Sequence, residues 1–326
     1  MSFSNDFSNR IMDPYLFYEN HAYVRQFLMD KYRKLDLSNN NTIAYRNTET
    51  FTSYVQQAHI QFKTAHLVDL TIKPLMLYYG AMNLIKAYLL TVDPDYPRSS
   101  AVLQHGLSTR KKKKIPFLFL QDEIRIQKEG LFPLFMSYLN PSISVDHRYH
   151  VKDLLSFIPD MQDSYHFLLK EQTLVPIEIM QQEPTSKRIK WRVHETILDR
   201  VNLTPTSYES HLNRFGHYFK YASSTSPYIY YTWQHHDSLS IQHPWFVKNK
   251  QGDYLLWIQN NHLAYPLPQV ATQFMLLFSL SMLCRYDTPL WRDVILGNWH
   301  TESILVRQAI ELIMDQWPRL IFDLMH

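Results

Sequence analysis

Pro74-Leu75-Met76-Leu77-Tyr78-Tyr79-Gly80-Ala81-Met82-Asn83-Leu84-Ile85-Lys86-Ala87-Tyr88-Leu89 is the most legible segment of the chain. Leu75, Tyr78, Tyr79, Met82, Ile85 and Leu89 recur at helical spacing. A proline is favoured at the first helical position, and Asp93-Pro94-Asp95-Tyr96-Pro97 ends the pattern. Gly80 weakens such a helix by about 1 kcal/mol relative to alanine, and close approach by a second helix explains its presence.

Upstream, Asp13 to Lys34 reads as a helix carrying Tyr15, Phe17, Tyr18, Tyr23, Phe27 and Leu28. Residues 36–42, rich in Asn and Ser, read as a loop, followed by a helix from Thr48, its expected cap, to His66. Downstream the period changes. Ile115 to Leu120 and the alternating Glu123 to Lys128 predict a hairpin, followed by helices over Leu131–Leu139 and Val151–Leu169. Leu174–Met180, Lys187–Leu198, Pro227–Gln234 and Asp253–Gln259 predict strands, with a turn at Lys250-Gln251-Gly252-Asp253. Val270–Arg285, Trp291–Gly297 and Glu302–Gln316 return to helix. The expected fold is α+β and predominantly helical, a helical body with a β-containing middle section. The expected divisions are a helical part over 1–170, a β-containing section over 171–262, and C-terminal helices over 263–326 that pack with the first part as one unit.

Composition narrows the function classes. The single cysteine, Cys284, excludes an intrachain disulfide and a cysteine zinc site. With a start, Met1-Ser2-Phe3-Ser4-Asn5-Asp6, that lacks the pattern of a signal peptide, it predicts a cytoplasmic protein. Val270 to Cys284 is the longest apolar run, short of the roughly 20 residues a membrane span requires. The six glycines, Gly80, Gly106, Gly130, Gly216, Gly252 and Gly297, are dispersed. Phosphate-cradling loops need closely spaced glycines for positive φ and backbone approach, so P-loops, dinucleotide fingerprints and kinase glycine loops are excluded.

His105-Gly106-Leu107-Ser108-Thr109-Arg110-Lys111-Lys112-Lys113-Lys114 ends in five consecutive cations. Removing those five from the 33 basic residues leaves 28 against 30 acidic ones, so the net charge of +3 is local. Such a run is solvated or meets an anion, and the adjacent hydroxyls suit phosphate. Changing Lys111–Lys114 to alanine would then flatten the salt dependence of nucleic-acid binding.

Three histidine groupings invite a metal reading: Asp146-His147-Arg148-Tyr149-His150, His235-His236-Asp237 with His243, and His59 with His66 seven residues on. With 16 histidines such adjacency arises by chance, so neither a metal nor another cofactor is expected. A metal-independent ribonuclease of the helical type places an Arg a few residues before a His, the cation stabilising the phosphorane and the imidazole moving the proton. Arg98 to His105, Arg188 to His194 and Arg319 to His326 fit that spacing, and Arg98 with His105 flanks the basic loop.

Ile72-Lys73-Pro74 through Gly80, Asn83 to Ala87, Val92-Asp93-Pro94 and Tyr96-Pro97 form one block with His105 to Lys111, Gln121-Asp122-Glu123 and Gln127 to Pro133. That block, with Ser279 to Tyr286, Pro289 and Trp291, resembles the YaaC-like family over nearly the whole chain. The Asp287-Thr288-Pro289 that follows Tyr286 departs from the family's His-Pro at that corner. The family is bacterial and uncharacterised, so the resemblance carries over no catalytic residue. It implies that the basic loop belongs to a longer block, in which Lys73, Tyr79, Asn83, Lys86, His105, Ser108, Arg110 and Lys111 form the candidate ligand site where the third helix packs beside the loop. The leading expectation is a phosphate-bearing ligand, nucleotide or RNA, with the reaction unassigned. The alternatives are a helical ribonuclease-type effector in stress or phage defence, and a protein–protein module. In the last, Tyr228, Tyr230, Tyr231, Trp233, Trp245 and Trp257 meet a protein partner or a second copy.

Overall fold

A computed structural model describes residues 12–110, 117–139, 146–183, 188–215, 219–234, 245–258, 267–297 and 302–326. The chain divides into two compact units, Met1–Val151 with Gln273–His326, and Lys152–Thr272. It is α+β and predominantly helical, with three small antiparallel sheets among the described residues.

In the first unit a 3-10 segment, Asp13–Glu19, leads into helix α1 (His21–Lys34), whose start is capped by the Asn20 side chain accepting from the Tyr23 amide at 3.1 Å. Helix α2 (Asn40–Leu67) begins well before the expected Thr48. Residues 36–39 are the expected loop, but Asn40–Thr42 already form the first helical turn, and Thr48 lies inside, its hydroxyl donating back to the Ala44 carbonyl at 2.7 Å. Helix α3 (Lys73–Val92) carries Pro74 in its first turn. A Cβ on Gly80 would lie 2.9 Å from the Phe62 ring, so a side chain there would push α2 and α3 apart. The Tyr32 hydroxyl donates to the Leu90 carbonyl at 2.8 Å and accepts from Asn47 Nδ2 at 2.9 Å, which ties α1, α2 and α3 together. By length and composition α3 is the one described helix apolar enough to cross a membrane, and 67% of its apolar window is buried inside the fold.

Strands β1 (Leu107–Arg110), β2 (Glu123–Ile126) and β3 (Arg148–His150) form an antiparallel sheet, with helix α4 (Leu131–Leu139) after β2. This corrects the expected hairpin. Leu107 pairs with Ile126 and Arg110 with Glu123, while Phe119–Gln121 is a 3-10 turn. Gly106 at φ +73° turns the chain into β1, a strand too short and too polar to show an alternating pattern.

The helix expected over Val151–Leu169 is two, α5 (Val151–Ser156) and α6 (Gln162–Leu169). Pro159 has no amide to donate and holds Ile158 extended at ψ 111°, which breaks the run. The second unit continues with β4 (Leu174–Pro176), β5 (Glu178–Glu183), β6 (Arg188–His194), α7 (Thr196–Val201), α8 (Pro205–Leu212), β7 (Phe219–Thr225), β8 (Tyr228–Gln234), β9 (Phe246–Lys248) and β10 (Tyr254–Trp257). Its sheets run β4-β10-β9 and β5-β6-β8-β7, all antiparallel. The core between them is aromatic. Trp191 stacks on Tyr231 at 5.0 Å and meets Phe246 edge-on at 5.5 Å, and Phe157 stacks on Trp257 at 4.9 Å.

Helices α9 (Gln269–Tyr286), α10 (Thr288–Leu296) and α11 (Glu302–Met325) follow. The expected stop at Gln316 is overrun. α11 passes through Pro318 because Trp317, Ile321 and Met325 keep its buried face, and the Tyr15 hydroxyl donates to the Pro318 carbonyl at 2.6 Å.

Candidate functional site

His105 is fixed by its backbone before its side chain makes any contact. The amides of Leu131 and Phe132, left without partners at the start of α4, donate to the carbonyls of Gln104 (2.7 Å) and His105 (3.2 Å). The Gln127 amide donates to the Gly106 carbonyl at 2.9 Å. Gly106 and Gly130 both have positive φ and touch backbone to backbone: a Cβ on Gly130 would lie 2.3 Å from the Gly106 Cα. Held this way, the half-buried imidazole shares a 2.7 Å hydrogen bond between Nδ1 and the Tyr78 hydroxyl and packs on Phe278 at 5.6 Å.

Two cations face this imidazole. Lys86 lies on the same side of α3 as Tyr79 and Asn83, half-buried, its Nζ 5.5 Å from the centre of the Tyr54 ring of α2. Burial holds its ammonium below the usual lysine range. Arg285, near the end of α9, donates from Nη1 to the Tyr79 hydroxyl at 3.0 Å and lies over the Tyr286 ring at 4.9 Å. Its Nε is buried with no hydrogen-bond partner. Asn83 donates to Gln61 Oε1 at 2.9 Å. Among the described residues neither Lys86 nor Arg285 has a carboxylate within ion-pair distance. Burial, then the charges of Arg285 and Lys86, push His105 below the ordinary imidazole value of 6.5.

That shift carries a sign. The folded state refuses a proton that the unfolded chain accepts, so stability is fully present above about 6.5 and is lost as pH falls below it. His66, also lowered, acts in the same direction. Urea unfolding at pH 7 and 5.5 should therefore show a larger loss of stability for the wild-type chain than for His105→Gln. Equal losses would mean that His105 titrates normally.

Of the eight candidate residues, Tyr79, Asn83, Lys86 and His105 come together. Lys73 lies 13 positions before Lys86, about 20 Å along the helix axis, and pairs with Glu311 at 2.7 Å. Ser108 is on β1, where its hydroxyl accepts from Gln127 Nε2, and Arg110 is exposed at the strand's end. Lys111, with Lys112–Lys114, lies outside the described residues. Beside His105 an open cleft of about 730 Å³ is lined by Gln104, Gln127, Lys128 and the Arg125–Asp146 ion pair. Arg98 is occupied, with three contacts of 2.7–3.0 Å to the Asp93 carboxylate. His235, His236, Asp237 and His243 lie outside the described residues, among which no three His, Cys, Asp or Glu side chains converge. Arg285, Tyr54 and Gln61 were not among the candidates. Arg285 was visible as the first cation after the longest apolar run and within the Ser279–Tyr286 stretch of the resemblance, without a role.

Fold and site together define a helical α+β protein with a half-buried cluster of Lys86, Arg285 and His105, drawn from α3, α9 and the turn before β1. The YaaC-like Protein family model matches residues 16–325, and the chain belongs to the YaaC-like family. No curated protein and no solved structure matches it.

Proposed function

We propose that the protein binds a phosphate-bearing ligand, a nucleotide or RNA, at Lys86, Arg285 and His105. The observation that carries this reading is that the charges of Lys86 and Arg285 bear on one half-buried imidazole, while among the described residues neither cation has a carboxylate within ion-pair distance. Like charges so placed repel, and an anion relieves the repulsion. The arginine fork suits a phosphate. Tyr79 and Tyr286 offer ring faces beside it, and the neighbouring cleft is of a size for a nucleotide. The cytoplasm, favoured by the lone cysteine, supplies such ligands.

Calorimetric titration of ATP, pyrophosphate and a short single-stranded RNA tests this. At least one should bind, and Lys86→Met and Arg285→Met should each weaken it about tenfold or more, 1.4 kcal/mol. A bound phosphate reverses the field at His105, so binding near neutral pH takes up protons, and the heat depends on the ionisation enthalpy of the buffer. Absence of binding at millimolar ligand, or binding indifferent to both substitutions, refutes the reading. The ribonuclease alternative draws less support because Asp93 already holds Arg98.

A further inference from the structure

The four-stranded sheet of the second unit has two faces of different chemistry. Ile189, Trp191 and Val193 of β6 and Ile229, Tyr231 and Trp233 of β8 are buried in the aromatic core. Strand alternation sends Lys190, Arg192 and His194, and Tyr228, Tyr230 and Thr232, to the other face, where they are half-exposed or exposed. The register sets Lys190 opposite Thr232, Arg192 opposite Tyr230 and His194 opposite Tyr228. Arg188 extends the row on β6, and Lys220 of β7 lies opposite Thr232.

Cations and rings interleave there. Lys190 Nζ is 5.0 Å from the centre of the Tyr230 ring, the Arg192 guanidinium lies 4.0 Å over Tyr228, and the His194 ring meets Tyr228 edge-on at 5.8 Å. Arg192 also holds Glu178 at 2.6 Å. Glu178 and Glu183, the acids that the register places opposite β6, are outnumbered by Arg188, Lys190, Arg192 and Lys220.

From this face we infer a binding surface for single-stranded nucleic acid, built from none of the residues around Lys86 and independent of the reading given to them. Unpaired bases stack on tyrosine rings and on guanidinium planes, and the phosphates between them need cations. Here both kinds of group alternate on one open sheet, with same-face positions about 6.7 Å apart along a strand, a spacing that an extended single strand can follow. A base stacks on the outer plane of Arg192. Lys190, on a flexible stem, leaves the Tyr230 ring to a second base and moves to a phosphate. An acidic protein would satisfy the cations and leave the rings unused.

The test is fluorescence anisotropy of the full chain with labelled twelve-residue oligo-uridine RNA and oligo-thymidine DNA, at several salt concentrations, with polyglutamate as competitor. Either oligonucleotide should bind, the tighter one identifying the sugar preferred. Tyr228→Leu with Tyr230→Leu should weaken binding at least tenfold with little change in salt slope. Arg188→Gln with Lys190→Gln should lower the slope by about 1.4, at roughly 0.7 per phosphate contact on a single strand. Circular dichroism checks that both double variants keep the wild-type fold, and Lys34→Gln with Lys63→Gln, exposed cations of the first unit, should bind as the wild type does. The inference is overturned by absence of binding at micromolar protein, by binding unchanged in both double variants, by an equal loss in the Lys34–Lys63 variant, or by polyglutamate competing as well as unlabelled oligonucleotide.

Discussion

Gly130→Ala is expected to destabilise the first unit by more than about 3 kcal/mol, the range of backbone strain combined with a core clash. The added methyl would sit 2.3 Å from the Gly106 Cα and 2.4 Å from its nitrogen, and φ at Gly130 is +131°, which L-residues rarely adopt. Neither obstacle is a flexible side chain that can swing aside. At 2–4 °C per kcal/mol for a unit of this size, the melting temperature should fall by roughly 6–12 °C. Circular dichroism at 222 nm measures it. The same glycine pair lies between the carbonyls of Gln104 and His105 and the amides that hold them, so any variant that folds should also bind the anion proposed for His105 less tightly. A melting temperature within 2 °C of the wild type would mean that the two backbones part at little cost.

The second large effect belongs to the other unit. Trp191→Ala removes a fully buried indole that stacks on Tyr231 and meets Phe219 and Phe246 edge-on. Large-to-small changes of this kind cost about 3–5 kcal/mol, the lost transfer energy together with the cavity left behind. Trp191 is the central inward residue of β6, flanked by Lys190 and Arg192, so its loss should loosen the cationic face as well. Hydrogen exchange should accelerate in β6 and β8 and leave α2 and α3 unchanged. Equal acceleration in both units would show that they unfold as one.

The central helices were readable, α3 from Pro74 by its helical spacing and α9 as the longest apolar run, which is buried on nearly every side. Short strands were not. Leu107–Arg110 has too few residues to alternate, and its pairing with β2 depends on a glycine conformation that no local pattern reveals. Phe219–Thr225 drew no assignment because Phe219 alone is buried and the rest of the strand shows no apolar alternation. The α2 start was hidden by asparagines, which suit loops and first turns alike. Around His105, Tyr79, Asn83 and Lys86 came from the block that carries the family resemblance, and helical spacing puts them on one face of α3. Arg285 had no role there, since 199 positions separate it from Lys86 and only tertiary packing brings both to His105.

The division of the chain has a bearing on how the protein is made. Residues 152–272 interrupt the helical unit, whose closing segment starts only at Gln273. During synthesis the interrupting unit is therefore the first to have all its residues, while the helical one waits, its apolar α3 lacking the α11 neighbour it finally packs against. A ribosome stalled before Arg285 would carry Lys86 and His105 without the third member of their charge cluster, so ligand-induced protection from proteolysis should begin only with chains long enough to include α9.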